Sequence, residues 1–355
     1  MGDMYLEVEA ARRFCEQVFT AAGIAERDAR TVTENLIAAD LRGLASHGIS
    51  RVRVYVDRLQ SGQVNKKPEI RILKDLPGLI HLDGDNGLGA VVGLEAMEMC
   101  IARAELNGSC VCSVRRANHF GIASFYTMRA VAKGMVGIAA SNNPPNMAPW
   151  GGITPMIGTN PFSIAVPAKR HKPLVLDMSS SIVARGRINV AEIEKRPIPE
   201  GWAIDREGNP TTNATAALQG SVLPFGQHKG YGIALMVDML AGILSGAAFS
   251  NKVGQLWGNK ETVQDIGLYF SVVNPAVTLG VDAFAERVDI LIDDLKSSTP
   301  TPGTKEVLVP GEIEFANEEK NRTRGLLVGP GVLKDLESLR SDYGIALNPS
   351  DHLIR

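Results

Sequence analysis

The sequence predicts an α/β fold, because strand and helix patterns alternate along its central part. The segment "SCVCSVRR" has a strand pattern, "IASFYTMRAVAKG" a helical one, and "MVGIAASN" the pattern of a buried strand. A helix predicted from Ala90 to Leu106 precedes them and directs Met97 and Ile101 toward a core. A chain of 355 residues with 45% hydrophobic content can fill a substantial core.

The spacing of apolar residues in the first sixty positions predicts helices. Apolar residues recur at the spacing of an amphipathic helix at Ala29, Val32, Leu36, Ile37 and Leu41, and again at Val52, Tyr55, Val56 and Leu59. Ser50 is the predicted N-cap of the second of these helices. The segment "PEIRILKDLPGLIHLD" that follows predicts short strands.

Three later segments complete the prediction. Residues 142–167 are rich in Pro, Gly and Asn, which predicts an ordered functional loop with Trp150, Met156 and Ile157 packed inside. The apolar run "GYGIALMVDMLAGILSGAAF" is interrupted by Asp238 and by glycines, so it indicates a core helix rather than a membrane span. A final helix is expected around "GVLKDLESLRSDYGI".

The composition indicates which classes of ligand the protein is expected to bind. The net charge is −2 and no basic stripe is present, so neither nucleic acid nor a membrane surface is indicated, and a small molecule is the expected ligand. The four cysteines lack metal-site and disulfide spacing and are predicted to be buried, reduced thiols. The acidic, polar first residues lack a secretory pattern, which indicates a cytoplasmic protein.

The segment "LASHGISRVRVY" places His47 and Arg51 in one short connection between helices. A cation in the first turn of a helix is disfavoured by the helix dipole. It becomes favourable when a carboxylate or phosphate binds there. The alternative is a solvated turn whose histidine packs on a neighbour.

Other candidates lie at predicted element ends. Lys229 stands among glycines where a helix begins, a pattern that fits an anion site or a solvated lysine. His119 follows a strand, where it can act in a site or pack. Asp177 ends a strand and can orient a histidine or a ribose, or cap the serine-rich turn. The glycines at 87, 89 and 93 miss the dinucleotide fingerprint by one position, so an ordinary Rossmann site is not indicated.

Taken together, several motifs carry a resemblance over nearly the whole chain. "SHGISRVRVYVDRLQSGQVN", "NHFGIAS", "MAPWGG", "GTNPFSIAVP", "LDMSSSIVARGRI" and "GQHKGYGIALMVDMLAGILSG" resemble, in this order, the malate/L-lactate dehydrogenase family. The resemblance implies the sulfolactate dehydrogenase-like fold, an α/β fold with a non-Rossmann mixed sheet and flanking helices. It also implies a mainly helical substrate and dimerisation portion, residues 1–75 with 285–355, and an α/β cofactor portion, residues 76–284.

The resemblance further implies an NAD- or NADP-dependent oxidoreductase, expected to be a homodimer. Its relatives act on 2-oxo or 2-hydroxy acids, ureidoglycolate, 2,3-diketo-L-gulonate or cyclic imino acids such as Δ1-piperideine-2-carboxylate. Proton transfer is implied for His47 or His119, and substrate contacts for Ser46, Arg51, Thr159 and His228. Cofactor contacts are implied for Asn142, Asn143, Asp177, Met178, Ser179, Lys229, Gly230, Pro310, Gly311 and Glu312. No metal is implied.

These expectations fit one reaction. Reduction of a 2-oxo acid needs a hydride at C2, a proton for its oxygen and a fixed carboxylate. Histidine can exchange the proton near neutral pH, and arginine offers a planar fork for the carboxylate. Two alternatives remain at this stage, a metal-dependent hydrolase using His47, His119 and His228, and a binding protein that has lost catalysis.

Overall fold

The computed structural model describes residues 4–258 and 262–354. The chain begins with strand β1 (Met4–Leu6) and the helices α1 (Val8–Ala21), α2 (Glu26–Leu41) and α3 (Val52–Gln60). Both predicted helical patterns are thus confirmed. Acidic side chains at Glu26 and Asp28 stabilise the start of α2 through the helix dipole.

The central part alternates as predicted. It comprises β2 (Arg71–Leu76), β3 (Leu79–Asp83), α4 (Gly89–Asn107), β4 (Ser109–Ala117), α5 (Ser124–Val131) and β5 (Val136–Ser141). Helix α4 connects the parallel pair β3 and β4 and ends at Gly108, whose φ of 84° suits the left-handed C-cap. Met97 and Ile101 are buried, which confirms the predicted inner face of α4.

The next part adds two strands to the sheet and then forms shorter elements around a separate small hydrophobic core. Its elements are β6 (Phe162–Val166), β7 (Leu174–Met178), α6 (Arg185–Ile193), β8 (Ala203–Ile204), α7 (Ala214–Gln219), β9 (Ser221–Val222) and α8 (His228–Val237). The predicted loop 142–167 therefore ends in a strand. Ile157 is buried, but Trp150 is 52% exposed, so the prediction that it packs inside was wrong.

The last part runs from the sheet back to the first helices. It comprises β10 (Ile266–Val273), α9 (Val281–Lys296), α10 (Glu312–Arg324), β11 (Leu326–Val328), α11 (Pro330–Tyr343) and β12 (Leu353–Ile354). Helix α11 confirms the predicted final helix. Strand β1 pairs antiparallel with both β11 and β12, so the two chain ends share one small sheet.

The central sheet has the strand order β2-β3-β4-β10-β5-β6-β7. It is mixed, since only β3 and β4 among these neighbours are parallel. This arrangement confirms the α/β, non-Rossmann fold class. One hydrophobic core lies among α1, α2, α3 and α11, and a second between the sheet and helices α4 and α5. The division into a helical and an α/β portion stays a prediction.

Two predictions about apolar residues have different outcomes. Cys15, Cys100, Cys110 and Cys112 are all free and buried, as predicted.

Helix α8 continues into a π-helical segment, Asp238–Ile243, and its apolar side chains do not all face a core. Met236 is 55% exposed and Leu244 53%, so the predicted core helix leaves one apolar face open. None of the helices in the described ranges has the length and apolar character needed to cross a membrane.

Candidate active site

The connection between α2 and α3 consists of two short 3-10 turns, Ala45–His47 and Ile49–Arg51. Ser50 is not the N-cap of α3, because the second turn extends to Arg51, which takes that position. The Ser50 hydroxyl instead donates to the carbonyl of Ala45 at 2.7 Å. The two turns place His47 and Arg51 on one compact bend.

Asp40 holds this bend from the last turn of α2. Its buried carboxyl group accepts a hydrogen bond from the amide of Ile49 at 2.7 Å. A Cβ atom at Gly48 would lie 2.0 Å from the carboxyl carbon of Asp40, so only glycine fits there. Burial raises the pKa of Asp40 to about 8, although the Ile49 amide favours the charged form. Asp40 is therefore mostly protonated at neutral pH.

Asp40→Asn is expected to reduce the dependence of stability on pH. The folded state binds the Asp40 proton more tightly than the unfolded state, so this contribution is full below about pH 4 and is lost as pH rises through about 8. The wild type should lose at most about 1.4 kcal/mol per pH unit from this group. Urea unfolding at several pH values should show a flatter profile for the variant. An unchanged profile would contradict the assignment.

Arg51 is a buried cation at the same bend, with 8% of its surface exposed. Its Nε donates to the carbonyl of Ser46 at 2.6 Å, and its guanidinium carbon lies 4.3 Å from the ring centre of Trp257. Within residues 4–258 and 262–354, no carboxylate forms an ion pair with it. A buried charge without a counterion is costly, so this position favours an anionic ligand.

Two histidines lie beside this cation. The rings of His47 and His119 stack with centres 5.6 Å apart and planes inclined by 27°. Burial, and then the Arg51 charge, lower the pKa of His47 to about 3. Burial, Arg51 and His47 hold the pKa of His119 well below its usual value. Both imidazoles are thus neutral at pH 7 while Arg51 is charged.

The loop after β4 fixes His119. Its amide donates to the side-chain oxygen of Gln264 at 3.1 Å. Gly121 has a φ of 80°, and a Cβ there would lie 1.8 Å from an oxygen of Asn35, so helix α2 packs directly on this loop. A Cβ at Gly89 would lie 2.0 Å from the carbonyl of Asn118. This glycine of the imperfect fingerprint therefore permits close packing beneath His119.

The loop after β5 is tied to helix α8 through asparagines. The buried Asn142 side chain donates to Asp238 at 3.0 Å and to the Ala248 carbonyl at 2.7 Å, and it accepts from the Gly267 amide at 2.9 Å. These contacts give Asn142 a supporting role. The Asn143 amide donates at 3.0 Å to Asn160, which itself donates to the Ala234 carbonyl of α8 at 2.8 Å.

The end of β7 joins the same region. The carbonyl of Thr159 accepts hydrogen bonds from the amide and hydroxyl of Ser180 at 2.8 and 2.9 Å. Asp177 accepts from the amide of Ser124 at 2.8 Å, so it caps helix α5 rather than the serine-rich turn, and burial raises its pKa. Met178 is the last residue of β7 and pairs with Phe162, while the Ser179 hydroxyl lies 3.1 Å from that of Ser181.

Helix α8 presents an exposed lysine at its start. A Cβ at Gly230 would lie 2.2 Å from the Phe225 carbonyl, so glycine is needed for this turn. Lys229 is exposed and has no ion pair with a described carboxylate. It borders an apolar cleft of about 480 Å³ between α8 and the sheet, lined also by Ile138, Ala140, Phe162 and Tyr269. His228 is exposed, with its ring centre 6.2 Å from that of Trp150.

The late Pro-Gly-Glu turn packs against the start of β7. The Pro310 carbonyl accepts from the Val175 amide at 3.0 Å, and Gly311 has a φ of 99°. Glu312 binds Lys296 at 2.8 and 2.9 Å and accepts from the Val309 amide at 2.9 Å. Burial opposes ionisation of Glu312, but these contacts outweigh it and lower its pKa. The Glu312 carboxylate is therefore already paired.

The structure brings His47, Arg51, Ser46 and His119 into one cluster. Three residues that contact this cluster were not predicted as site residues: Asp40 at the bend, Tyr55, whose hydroxyl lies 2.7 Å from Nδ1 of His119, and Trp257 beside Arg51. Asp40 lies at helical spacing on the buried face of α2. A charged residue on an otherwise apolar helix face is a signal that the sequence could have given for it. Tyr55 has the spacing of a core residue, so the sequence gives no sign that its hydroxyl contacts the site.

Across the described ranges, no group of three or more His, Cys, Asp or Glu side chains could hold a metal ion, so the hydrolase alternative gains no support.

Comparison with known proteins identifies the family of the chain. The family model for malate/L-lactate dehydrogenase matches residues 6–337. The chain belongs to the malate/L-lactate dehydrogenase family. It is accordingly an oxidoreductase of the hydroxy acid dehydrogenase type, as the resemblance predicted.

Individual relatives span essentially the whole chain. L-sulfolactate dehydrogenase of Methanocaldococcus jannaschii is 40% identical over 99% of this chain and 100% of its own length. The solved structure of sulfolactate dehydrogenase from that organism has a TM-score of 0.91 and covers 98% of this chain and 99% of its own. A malate dehydrogenase of Pyrococcus horikoshii is 38% identical over 97% and 98%. Ureidoglycolate dehydrogenase (NAD(+)) of Escherichia coli is 32% identical over 94% and 95%.

Proposed function

We propose that this family member interconverts a 2-oxo acid, or a cyclic 2-imino acid, and the corresponding 2-hydroxy or amino acid with a nicotinamide cofactor. The observation that carries the proposal is the buried Arg51 guanidinium, which has no carboxylate partner in the described ranges and lies beside two neutral histidines. A substrate carboxylate bound by Arg51 would bring the adjacent C2 oxygen toward these histidines.

Each member of the cluster then has a distinct part. Arg51 keeps its Nε on Ser46 and offers its terminal nitrogens to the carboxylate. His47 exchanges the proton of the C2 oxygen, with Ser46 at its Nδ1. Thr159, on the loop before β6, and His228, the first residue of α8, are proposed as further substrate contacts.

The other candidates suit a dinucleotide. Lys229 at the start of α8 can neutralise a phosphate, and the apolar cleft beside it suits a flat ring. Asn143 follows β5, Met178 and Ser179 lie at the end of β7, and Gly230 lies in the first turn of α8. Asn142, Asp177 and the turn of Pro310, Gly311 and Glu312 support them. The bound cofactor would supply or accept the hydride. One relative is named as an NAD(+) enzyme, which supports a nicotinamide cofactor.

Lys229→Ala is expected to raise the apparent KM for the cofactor by about tenfold, as for loss of one charged hydrogen bond. Thermal unfolding should stay nearly unchanged, because an exposed lysine contributes within about 0.5 kcal/mol. Lys133→Ala, an exposed lysine after α5, is the control. Equal cofactor affinity in the Lys229 variant would defeat the assignment.

We also propose that the chain is a cytoplasmic homodimer. Support comes from exposed apolar side chains of α8 and of the residues that follow it which do not line the cofactor cleft, namely Leu235, Met239, Ile243 and Leu244. Light scattering after gel filtration should give twice the mass of one chain, which is 38.0 kDa.

The substrate and the cofactor preference are tested by one set of initial rates. NADH and NADPH are each assayed with pyruvate, oxaloacetate, a diketo sugar acid and a cyclic imino acid, and the reverse reaction with malate, lactate, sulfolactate and ureidoglycolate. At least one combination should consume or produce the reduced cofactor. No change in nicotinamide absorbance with any combination would overturn the proposed function.

A further inference from the structure

The Nδ1 atom of His119 faces two hydrogen-bond donors. The backbone amide of Gly121 points to it at 3.3 Å, and the hydroxyl of Tyr55 lies 2.7 Å away. A backbone amide can only donate, so this long contact favours the neutral tautomer in which Nδ1 is the acceptor. Burial raises the pKa of Tyr55 to about 12, which keeps its hydroxyl protonated and able to donate. The proton of neutral His119 therefore resides on Nε2.

His47 has a different environment. Its Nδ1 lies 2.9 Å from the hydroxyl of Ser46, and no other hydrogen bond to its ring is present within the described ranges. A hydroxyl both donates and accepts, so this contact persists in either tautomer and in the imidazolium. His47 can gain and lose a proton without losing its partner. Protonation of His119 at Nδ1 would instead oppose the Gly121 amide.

We propose that Tyr55 is a positioning residue that holds His119 in the Nε2–H tautomer, so that His119 donates a hydrogen bond to the C2 oxygen while His47 exchanges the proton. This inference rests on the proposed function. The stacked rings lie 5.6 Å apart, close enough for one small substrate to contact both. The two histidines of the site thus have unequal roles, set by the atoms that face their Nδ1 positions.

The proton and electron balance is simple. In reduction, C2 receives the hydride from the reduced nicotinamide, which ends oxidised, and the C=O π electrons become a lone pair on oxygen. That oxygen takes the proton that leaves protonated His47, which ends neutral. His119 keeps its Nε2 proton throughout and stabilises the negative charge that develops on the oxygen.

The tautomer can be measured without substrate or turnover. Protein labelled with ¹⁵N-histidine is examined by long-range ¹H–¹⁵N correlation at neutral pH, and His119→Asn assigns the signal among the six histidines. We expect Nδ1 of His119 to have the shift of an unprotonated nitrogen and Nε2 that of a protonated one. The opposite pattern in the wild type would overturn the inference.

The role of Tyr55 is tested with Tyr55→Phe. The variant keeps the Gly121 amide at 3.3 Å but loses the Tyr55 hydroxyl at 2.7 Å, so the preference for the Nε2–H tautomer should weaken and the His119 signals should shift toward those of a mixture. We expect kcat to fall about tenfold with KM changed less than threefold, as for loss of one hydrogen bond that acts in the transition state. Tyr343→Phe removes the hydroxyl of the last residue of α11, which makes no hydrogen bond to His119, and is the control.

The outcomes separate the two proposals. A variant with wild-type tautomer signals and a kcat within about twofold of wild type would overturn the role of Tyr55, given that one hydrogen bond is worth about tenfold. A wild type that reduces none of the 2-oxo or 2-imino acids would overturn the proposed function and the catalytic role of His119 with it. The nitrogen shifts of His119 in the wild type and in Tyr55→Phe would still show whether Tyr55 fixes the tautomer of His119.

Discussion

His47→Asn is expected to lower turnover in 2-oxo acid reduction by about 10²–10⁴-fold, the usual contribution of a positioned general acid. The substrate KM should change much less, because Arg51 still binds the carboxylate. Asparagine keeps a polar group near Ser46 but cannot exchange a proton. Initial rates at saturating cofactor measure both constants, and cofactor binding should survive.

The matched control is His81→Asn. This half-buried histidine lies on β3 and contacts the carbonyl of Ser113 at 3.2 Å, outside the cluster, so its variant should keep nearly full activity. His119→Asn should also reduce kcat, through loss of the hydrogen bond to the developing oxyanion. Should His47→Asn retain most of its turnover while His119→Asn abolishes it, the proton donor is His119 and the proposed assignment is wrong.

The pH profile gives an independent test of His47. Its pKa of about 3 in the free site means that only a small fraction is protonated at neutral pH. Reduction needs that protonated form, so kcat/KM should fall about tenfold per pH unit between about pH 6 and 8. His47→Asn should lose this slope. Binding of a substrate carboxylate to Arg51 offsets the guanidinium charge and raises the pKa of His47, so binding should be accompanied by proton uptake.

Local patterns predicted most of the central fold. The helix predicted from Ala90 to Leu106 is observed at Gly89–Asn107. This prediction succeeded because both of its signals, the apolar period and the terminal Gly108, are local in the sequence. Strand β10 and helix α9 were not predicted. Strand β10 lies between β4 and β5, and this pairing depends on partners more than a hundred residues away in the chain.

The open face of α8 shows a second limit. Composition and period identify an apolar helix, but they do not reveal which neighbours cover it. In the structure, the residues around Met236 and Leu244 have no covering element within the described part of the chain. An amphipathic or apolar run therefore predicts a helix more securely than it predicts burial.

Some residues of the site could be predicted from local sequence, and others could not. His47 and Arg51 were found because the sequence places an imidazole and a guanidinium on one bend, and that proximity is local. Tyr55 reaches His119 across 64 residues of sequence, and Trp257 reaches Arg51 from the segment before β10. Such contacts exist only once the helical layer packs on the sheet. Their chemistry could not be predicted from spacing.

Arg51→Lys is expected to lower kcat/KM for the substrate by about tenfold to a hundredfold or more, from the loss of a charged hydrogen bond worth roughly 1.5–3 kcal/mol. The present side chain holds the Ser46 carbonyl with Nε and stacks on Trp257. A lysine has one nitrogen, so it cannot hold Ser46 and also present two parallel donors to a carboxylate. Its compact ammonium also stacks less well on the indole.

Arg53→Lys provides the matched control for this last prediction. Arg53 lies two residues further along on α3, but it points to the surface and pairs with Asp57 at 3.0 Å and Asp342 at 3.1 Å. Exposed ion pairs contribute little, so its variant should change kcat/KM by less than about twofold. Cofactor binding should be unchanged in both variants. If Arg51→Lys binds substrate as well as Arg53→Lys does, the carboxylate is held elsewhere, and the buried guanidinium serves only to hold the bend that carries His47.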